Sequence, residues 1–186
     1  MQTFFKDLDS IQQFTHSLNQ YHDVLKCQFC SKNNHFVSHG FVYKKQYNGL
    51  KKTVGKRIFC SNRFGRSGCG RTFRVYLATE VPKLNYAIRH LSAFIHALIA
   101  GVCIHNAYYH ATKTRDSRNA YRWLNKLQHK LIDYRQVLSM RIVNSVSLFQ
   151  NRVRRLQLIL PTLSALLSNT VSSCPHYQIH TQKPFV

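Results

Sequence analysis

Four of the six cysteines in this chain are spaced as metal ligands. Cys27 and Cys30 form a C-x2-C pair, and Cys60 and Cys69 form a C-x8-C pair further along. Zinc takes four tetrahedral thiolate or imidazole ligands, and the tight turn of a C-x2-C knuckle hands two sulfurs to one ion. Two knuckles brought together by hairpins make a zinc ribbon. The expectation is therefore one structural Zn2+ held by Cys27, Cys30, Cys60 and Cys69. With four protein ligands no position stays open for water, so the site is structural and not catalytic. The second knuckle departs from the pattern, because eight residues intervene where two are usual. It reads as a knuckle with a six-residue insertion that lifts Arg63 and Arg66 outward. Gly70, after the last ligand, frees a tight turn, and Phe73 returns the chain to a sheet. The competing readings are four unligated thiols, a disulfide framework, or His35 or His39 in place of one cysteine. Cys103 and Cys174 stand alone and read as core or surface thiols.

The surroundings of these cysteines are strongly basic. The 186 residues carry 27 Lys and Arg against 6 acids, a net charge of +21. Such a chain repels itself unless a polyanion neutralises it, and a nucleic-acid backbone is the default partner. A membrane surface is the second choice, but "LSAFIHALIAGVCI" and "LQLILPTLSALL" are too short to span a bilayer, and Pro161 breaks the latter. The start, "MQTFFKDLDSIQQF", has acids where a signal peptide carries positive charge. These features lead to the expectation of a cytoplasmic protein, in a compartment where paired cysteines hold metal more often than they form disulfides. A hydrophobic fraction of 44%, with 12 Phe and 10 Tyr, supplies a core and excludes wholesale disorder.

Five segments must position the site. Residues 1–26 place Phe4, Leu8, Ile11, Phe14 or Thr15, Leu18, Tyr21 and Leu25 at helical spacing, which predicts one amphipathic packing helix. Residues 27–80 form the C4 ribbon, with β-like runs "HFVSHGFVYK" and "KRIFC" and a hairpin turn at "YNGL". Between Ser31 and Thr79 this segment has eleven Lys or Arg and no acid. Residues 84–130 carry three helical patterns, the first stopping at Gly101 and the third starting from Asp116 or Ser117 as N-cap. Residues 131–169 hold a long amphipathic helix, with Leu131, Tyr134, Leu138, Ile142, Val146, Phe149, Val153, Leu156 and Leu160 on one stripe, and a short helix beginning at Pro161. Residues 170–186 read as a flexible tail. The fold class is α+β: an N-terminal helix, a small β ribbon, a helix-turn-helix and C-terminal helices.

In a helix-turn-helix the last helix lies in the major groove with its N-terminal residues at base edges. Here Ala120, Trp123, Leu124 and Leu127 share one face, leaving Arg118, Asn119, Arg122 and Lys126 on the others. Arg pairs bidentately with guanine and Asn with adenine, so this composition suits base readout, although a plain solvated helix face would look similar. The expected DNA contacts are Arg115, Ser117, Arg118, Asn119, Arg122 and Lys126 from this region. From the ribbon they are Lys44, Lys45, Lys51, Lys52, Arg63, Arg66 and Arg71.

Taken together, "CQFC…CSNRFGRSGCGRTF" and "LIAGVCIHNAYYHAT…SRNAYRWLNKL" resemble the N-terminal region of insertion-sequence proteins, in which a transposase-type zinc ribbon ending in CGRTF or CGKTF precedes a helix-turn-helix. The likeness covers residues 27–130. It implies that the four cysteines hold zinc and that the helix after Ser117 reads transposon-end, target or promoter double-stranded DNA. An RNase H-like transposase domain needs three carboxylates holding two metals. After Lys126 this chain has one acid, Asp133, and no two histidines lie two apart as a rolling-circle nuclease requires. The expected activity is therefore DNA binding without strand transfer, as an accessory or regulatory protein. The alternatives are an assembly subunit that bridges a transposase, ATPase or guide-RNA complex to DNA through phosphate contacts, with helices 1–25 and 131–160 as docking surfaces and 131–160 also as a homo-oligomer surface, an RNA binder, or a transposase remnant.

Overall fold

The structure is a computed structural model that describes residues 3–18, 20, 26–33, 35–45, 49–82, 84–138, 152–168 and 173–186. The α+β class holds: one helix precedes the main strands of a four-stranded sheet, and further helices follow. The chain divides into two compact units. One comprises residues 1–85 and 178–184, the other 86–177 and 185–186.

In the first unit, β1 (Thr3–Phe5), β2 (Phe36–Lys45), β3 (Lys51–Cys60) and β4 (Thr72–Leu77) form a sheet in the order β1-β4-β3-β2. β1 runs parallel to β4, while the β2–β3 and β3–β4 pairs are antiparallel. Helix α1 (Leu8–His16) starts at Asp7, whose carboxylate accepts the Ser10 amide at 2.8 Å, which satisfies one of the amides a helix start leaves free. The Ser10 side chain and then its amide, both hydrogen-bonding to the carboxylate, hold the Asp7 carboxyl below its usual range. Ile11 and Leu18 pack with Phe36, Ile58, Phe73, Val75 and Leu77, and Cys27 and Cys60 belong to the same cluster. The Phe36 and Phe73 rings meet edge-on at 5.7 Å, a geometry that contributes about 1 kcal/mol beyond area burial.

Several expectations change. Phe4 is not on a helix but in β1, paired with Tyr76; three residues joining a parallel edge leave no local pattern to read. Tyr21, Leu25 and the turn residues Tyr47 and Asn48 lie outside the described residues, though β2 and β3 pair as a hairpin turn there requires. The end of the chain is not a loose tail. Helix α7 (Cys174–Thr181) forms there, and Gln182 donates to the Phe4 carbonyl at 3.2 Å and accepts its amide at 2.8 Å. One side-chain amide thus pairs the free edge of β1 as a further strand would. Gln178 is wholly buried and donates to the carbonyls of Ala78 and Glu80.

The second unit is helical: α2 (Ile88–Ile99), α3 (Ile104–Thr112), α4 (Arg118–His129), α5 (Leu131–Val137) and α6 (Arg152–Ser168), with the first part of α7. Helix α2 stops where Gly101 takes φ 84°, a conformation open to glycine. Trp123 of α4 is 2% exposed and lies within 5.5 Å, ring to ring, of Tyr86, Phe94 and Tyr108. The long helix expected over 131–160 stops at Val137, while Ile142, Val146 and Phe149 lie outside the described residues. Pro161 does not start a helix. It sits inside α6, which gives up one backbone hydrogen bond there and keeps Ile159, Leu163 and Leu166 buried. Tyr134 packs on Tyr177 and Phe185 and donates its hydroxyl to the Phe185 carbonyl.

Candidate metal centre and cationic surfaces

The ligand atoms of Cys27, Cys30, Cys60 and Cys69 all lie within 4.8 Å of one another, forming the metal-capable group found among the described residues. The Cys27–Cys69 and Cys30–Cys60 sulfurs are 3.7 and 3.8 Å apart. A tetrahedron with zinc–sulfur bonds of about 2.3 Å has edges of about 3.8 Å, so the sulfurs stand where a tetrahedral ion needs them. The same separations are far too long for disulfide bonds, and all six cysteines are free. Neither His35 nor His39 joins the group: His35 Nε2 faces Ser67 Oγ at 3.2 Å, and the His39 ring lies 5.7 Å from that of Phe59. Burial pushes the Cys60 thiol up to about 12 and also raises Cys27, while the Lys32 amide brings Cys30 down to about 7.

The two knuckles share one hydrogen-bond scheme despite their different spacing. In the first, the Ser31 amide donates to the Cys27 carbonyl at 2.8 Å and the Cys27 amide donates to the Lys32 carbonyl at 2.9 Å. In the second, the Gly70 amide donates to the Cys60 carbonyl and the Cys60 amide to the Arg71 carbonyl, each at 2.9 Å. Ser31 and Gly70, each just after the second cysteine of its knuckle, have φ of 57° and 70°. An amide faces the first sulfur in both, Phe29 to Cys27 at 3.5 Å and Cys69 to Cys60 at 3.4 Å. The insertion is pinched off at its base, where the Gly68 amide donates to the Ser61 carbonyl at 2.9 Å.

The pinched loop displays its residues unequally. Arg63 is exposed, and its guanidinium lies 5.8 Å from the centre of the Phe59 ring. Arg66 is half-buried and turns back to donate to the Phe36 carbonyl at 3.5 Å, so it is not lifted outward as the insertion suggested. Phe64, at the tip, is 99% exposed.

The remaining ribbon cations also divide. Lys44 and Lys52 each reach an oxygen of Glu80 at 2.9 Å, and Glu80 itself is 3% exposed. Burial alone would raise the Glu80 carboxyl, but the two lysines outweigh it and hold it below its usual range. Lys45 and Lys51 are exposed register partners, and Arg71 lies exposed with its guanidinium over the Phe29 ring at 5.1 Å. The structure adds a pair that sequence reasoning did not single out. Arg57 stands directly across from Arg74 on the sheet, both are exposed, and among the described residues no carboxylate forms an ion pair with either. Neither the exposed tip of Phe64 nor this cross-strand register has a local sequence signature, since both depend on how the loop and strands close.

In the helical unit, α4 buries Ala120, Trp123, Leu124 and Leu127 and exposes Arg118, Tyr121, Arg122 and Asn125, with Asn119 and Lys126 half-exposed. A five-residue turn, 113–117, precedes α4, with Lys113 at φ 59° and Arg115 exposed. Ser117 occupies the N-cap position without a side-chain cap bond, while Asp116 accepts the Arg118 amide at 3.0 Å and pairs with its guanidinium at 2.9 Å. The Arg122 guanidinium donates to Asn119 Oδ1 at 3.3 Å. No helix among the described residues is long and apolar enough to cross a membrane.

No family model, curated protein or solved structure matches the chain.

Proposed function

We propose that this chain is a zinc-dependent DNA-binding accessory or regulatory protein of a mobile element, which recognises element-end, target or promoter DNA without catalysing strand transfer. The observation that carries the reading is the division of α4. Its buried side chains anchor it through Trp123, and its other faces present Arg118, Asn119 and Arg122 in the first turns and Lys126 in the last, on a helix that follows a five-residue turn. The net charge of +21 supplies the attraction to phosphate. Four thiolates at tetrahedral spacing favour zinc among common ions, because soft sulfur ligands select it. The mobile-element setting rests on the likeness of residues 27–130 to insertion-sequence ribbons. A selection of genomic fragments by the zinc-loaded protein, with a chelated control, tests the reading. Enrichment of one short site, relaxed by Arg122→Ala, supports it, and equal recovery of all fragments at every salt concentration refutes sequence recognition.

A further inference from the structure

The loop 62–67 is built to hold one aromatic ring in water. Phe64 is 99% exposed and has φ 53°, a conformation unfavourable for a bulky side chain, and Gly65 follows at φ 74°. The loop is nonetheless tied down on both sides. The Ser61–Gly68 bond closes its base, the Arg66 amide donates to the Arg63 carbonyl at 3.1 Å, and the Arg63 amide donates to Ser61 Oγ at 3.2 Å. Lys32 donates to the Ser67 carbonyl at 2.8 Å, and Arg66 reaches Phe36. A tethered loop that keeps an unfavourable backbone and an unburied ring points to a partner for that ring.

The chemistry beside the ring says which partner. Arg63 stacks against Phe59, and Phe59 shares a sheet face with Arg57, two residues before it, and with Arg74, across from Arg57. Like charges directly opposite on a sheet repel, so the Arg57–Arg74 pair awaits a polyanion. Guanidinium groups are planar and bind phosphate through two bonds while stacking on rings, which suits a nucleic-acid strand. A lipid-inserting loop would need a broader apolar surface, whereas Asn62, Arg63 and Ser67 around Phe64 are polar and exposed.

We propose that Phe64 stacks on an unpaired base of single-stranded or locally opened DNA, while Arg63, Arg57 and Arg74 hold the flanking phosphates. The proposal rests on the DNA-binding reading above and adds a second DNA site, on the ribbon, that prefers unpaired bases. Phe64 touches nothing the fold depends on, so Phe64→Ala keeps its metal and its helical spectrum. The test compares a single-stranded oligonucleotide bearing a fluorescent purine analogue with a fully paired duplex, using the full-length zinc-loaded chain. The wild type is expected to quench the analogue. Phe64→Ala is expected to weaken single-strand binding by about 5- to 100-fold and to leave duplex affinity unchanged, with Phe64→Trp restoring the single-strand affinity. If the wild type binds duplex but Phe64→Ala binds the single strand equally well, the stacking site is refuted and the DNA reading survives. If the wild type binds neither DNA, both fall. Loss of binding to phosphatidylserine-containing vesicles by Phe64→Ala, with DNA binding intact, would overturn the proposal in favour of a membrane contact.

Discussion

Ser61 and Gly68 are joined by a backbone hydrogen bond of 2.9 Å across the six residues that separate them. With residues 62–67 closed off, they stand beside Cys60 and Cys69 as the two spacer residues of a C-x2-C knuckle would. A β-carbon on residue 68 would lie 2.3 Å from the Ser61 carbonyl oxygen, so the approach requires glycine. The insertion therefore sits on the knuckle without disturbing the sulfurs.

Two variants separate the pinch from the loop. Gly68→Ala forces backbone atoms apart at the base of the knuckle and should weaken metal binding by on the order of 10- to 100-fold. Deleting 62–67, so that Ser61 leads directly into Gly68, should retain wild-type metal affinity. Competition with a chromogenic chelator measures both. Equal affinity for Gly68→Ala, or loss of metal in the deletion, would remove the pinch from the account.

The thiols report on occupancy. In the metal-loaded chain the exposed Cys103 should be the fast-reacting thiol, since Cys174 is buried and the other four are ligands. Chelation should release four more. Because ligation needs thiolates and burial raises the Cys27 and Cys60 thiols, metal affinity should fall as the pH is lowered. A thiol-reactive dye, followed across pH with and without chelator, reads both effects.

Much of this site was legible in the sequence because its chemistry is local. Ligand spacing named all four cysteines, and hydrophobic periodicity placed Trp123 and its neighbours on the buried face of α4. What escaped depends on closure at a distance. Phe4 enters a sheet only because β4 is there to pair with it, and Gln182 finds the edge of β1 from 178 residues away in sequence. The pairing of Lys44 and Lys52 on Glu80 is similar. Each looks like a free surface lysine until the sheet brings all three together.

That three-residue cluster makes stability depend on pH. The folded Glu80 carboxyl is held below its usual value, so its contribution is fully present above the unfolded carboxylate range and is lost as pH falls through the lower folded value. Glu80→Gln leaves Lys44 and Lys52 facing each other and should cost on the order of 2 kcal/mol near neutrality. Urea denaturation at neutral and acidic pH measures this. The difference between wild type and variant should shrink at the acid end, and a pH-independent difference would assign the loss to packing alone.

Asp116 supplies the last prediction, because it restrains one of the cations on which the DNA reading depends. Its carboxylate pairs with Arg118 at 2.9 Å and also accepts the Arg118 amide at the start of α4. Asn at this position can still accept that amide, so the helix start survives, but the ion pair is lost and Arg118 gains freedom to reach phosphate or a base edge. On the proposed reading, removing one negative charge beside α4 also lowers the repulsion of the DNA backbone. Asp116→Asn should therefore tighten duplex binding by about 3- to 10-fold at low salt, with a steeper salt dependence, because one more cation releases a counterion on binding. Arg118→Ala in the same background should cancel the gain. Fluorescence anisotropy over a salt series measures the affinity and slope together. If Asp116→Asn binds duplex no better than wild type at any salt, α4 does not meet DNA through its first turn, and the docking of this helix must be sought along another face.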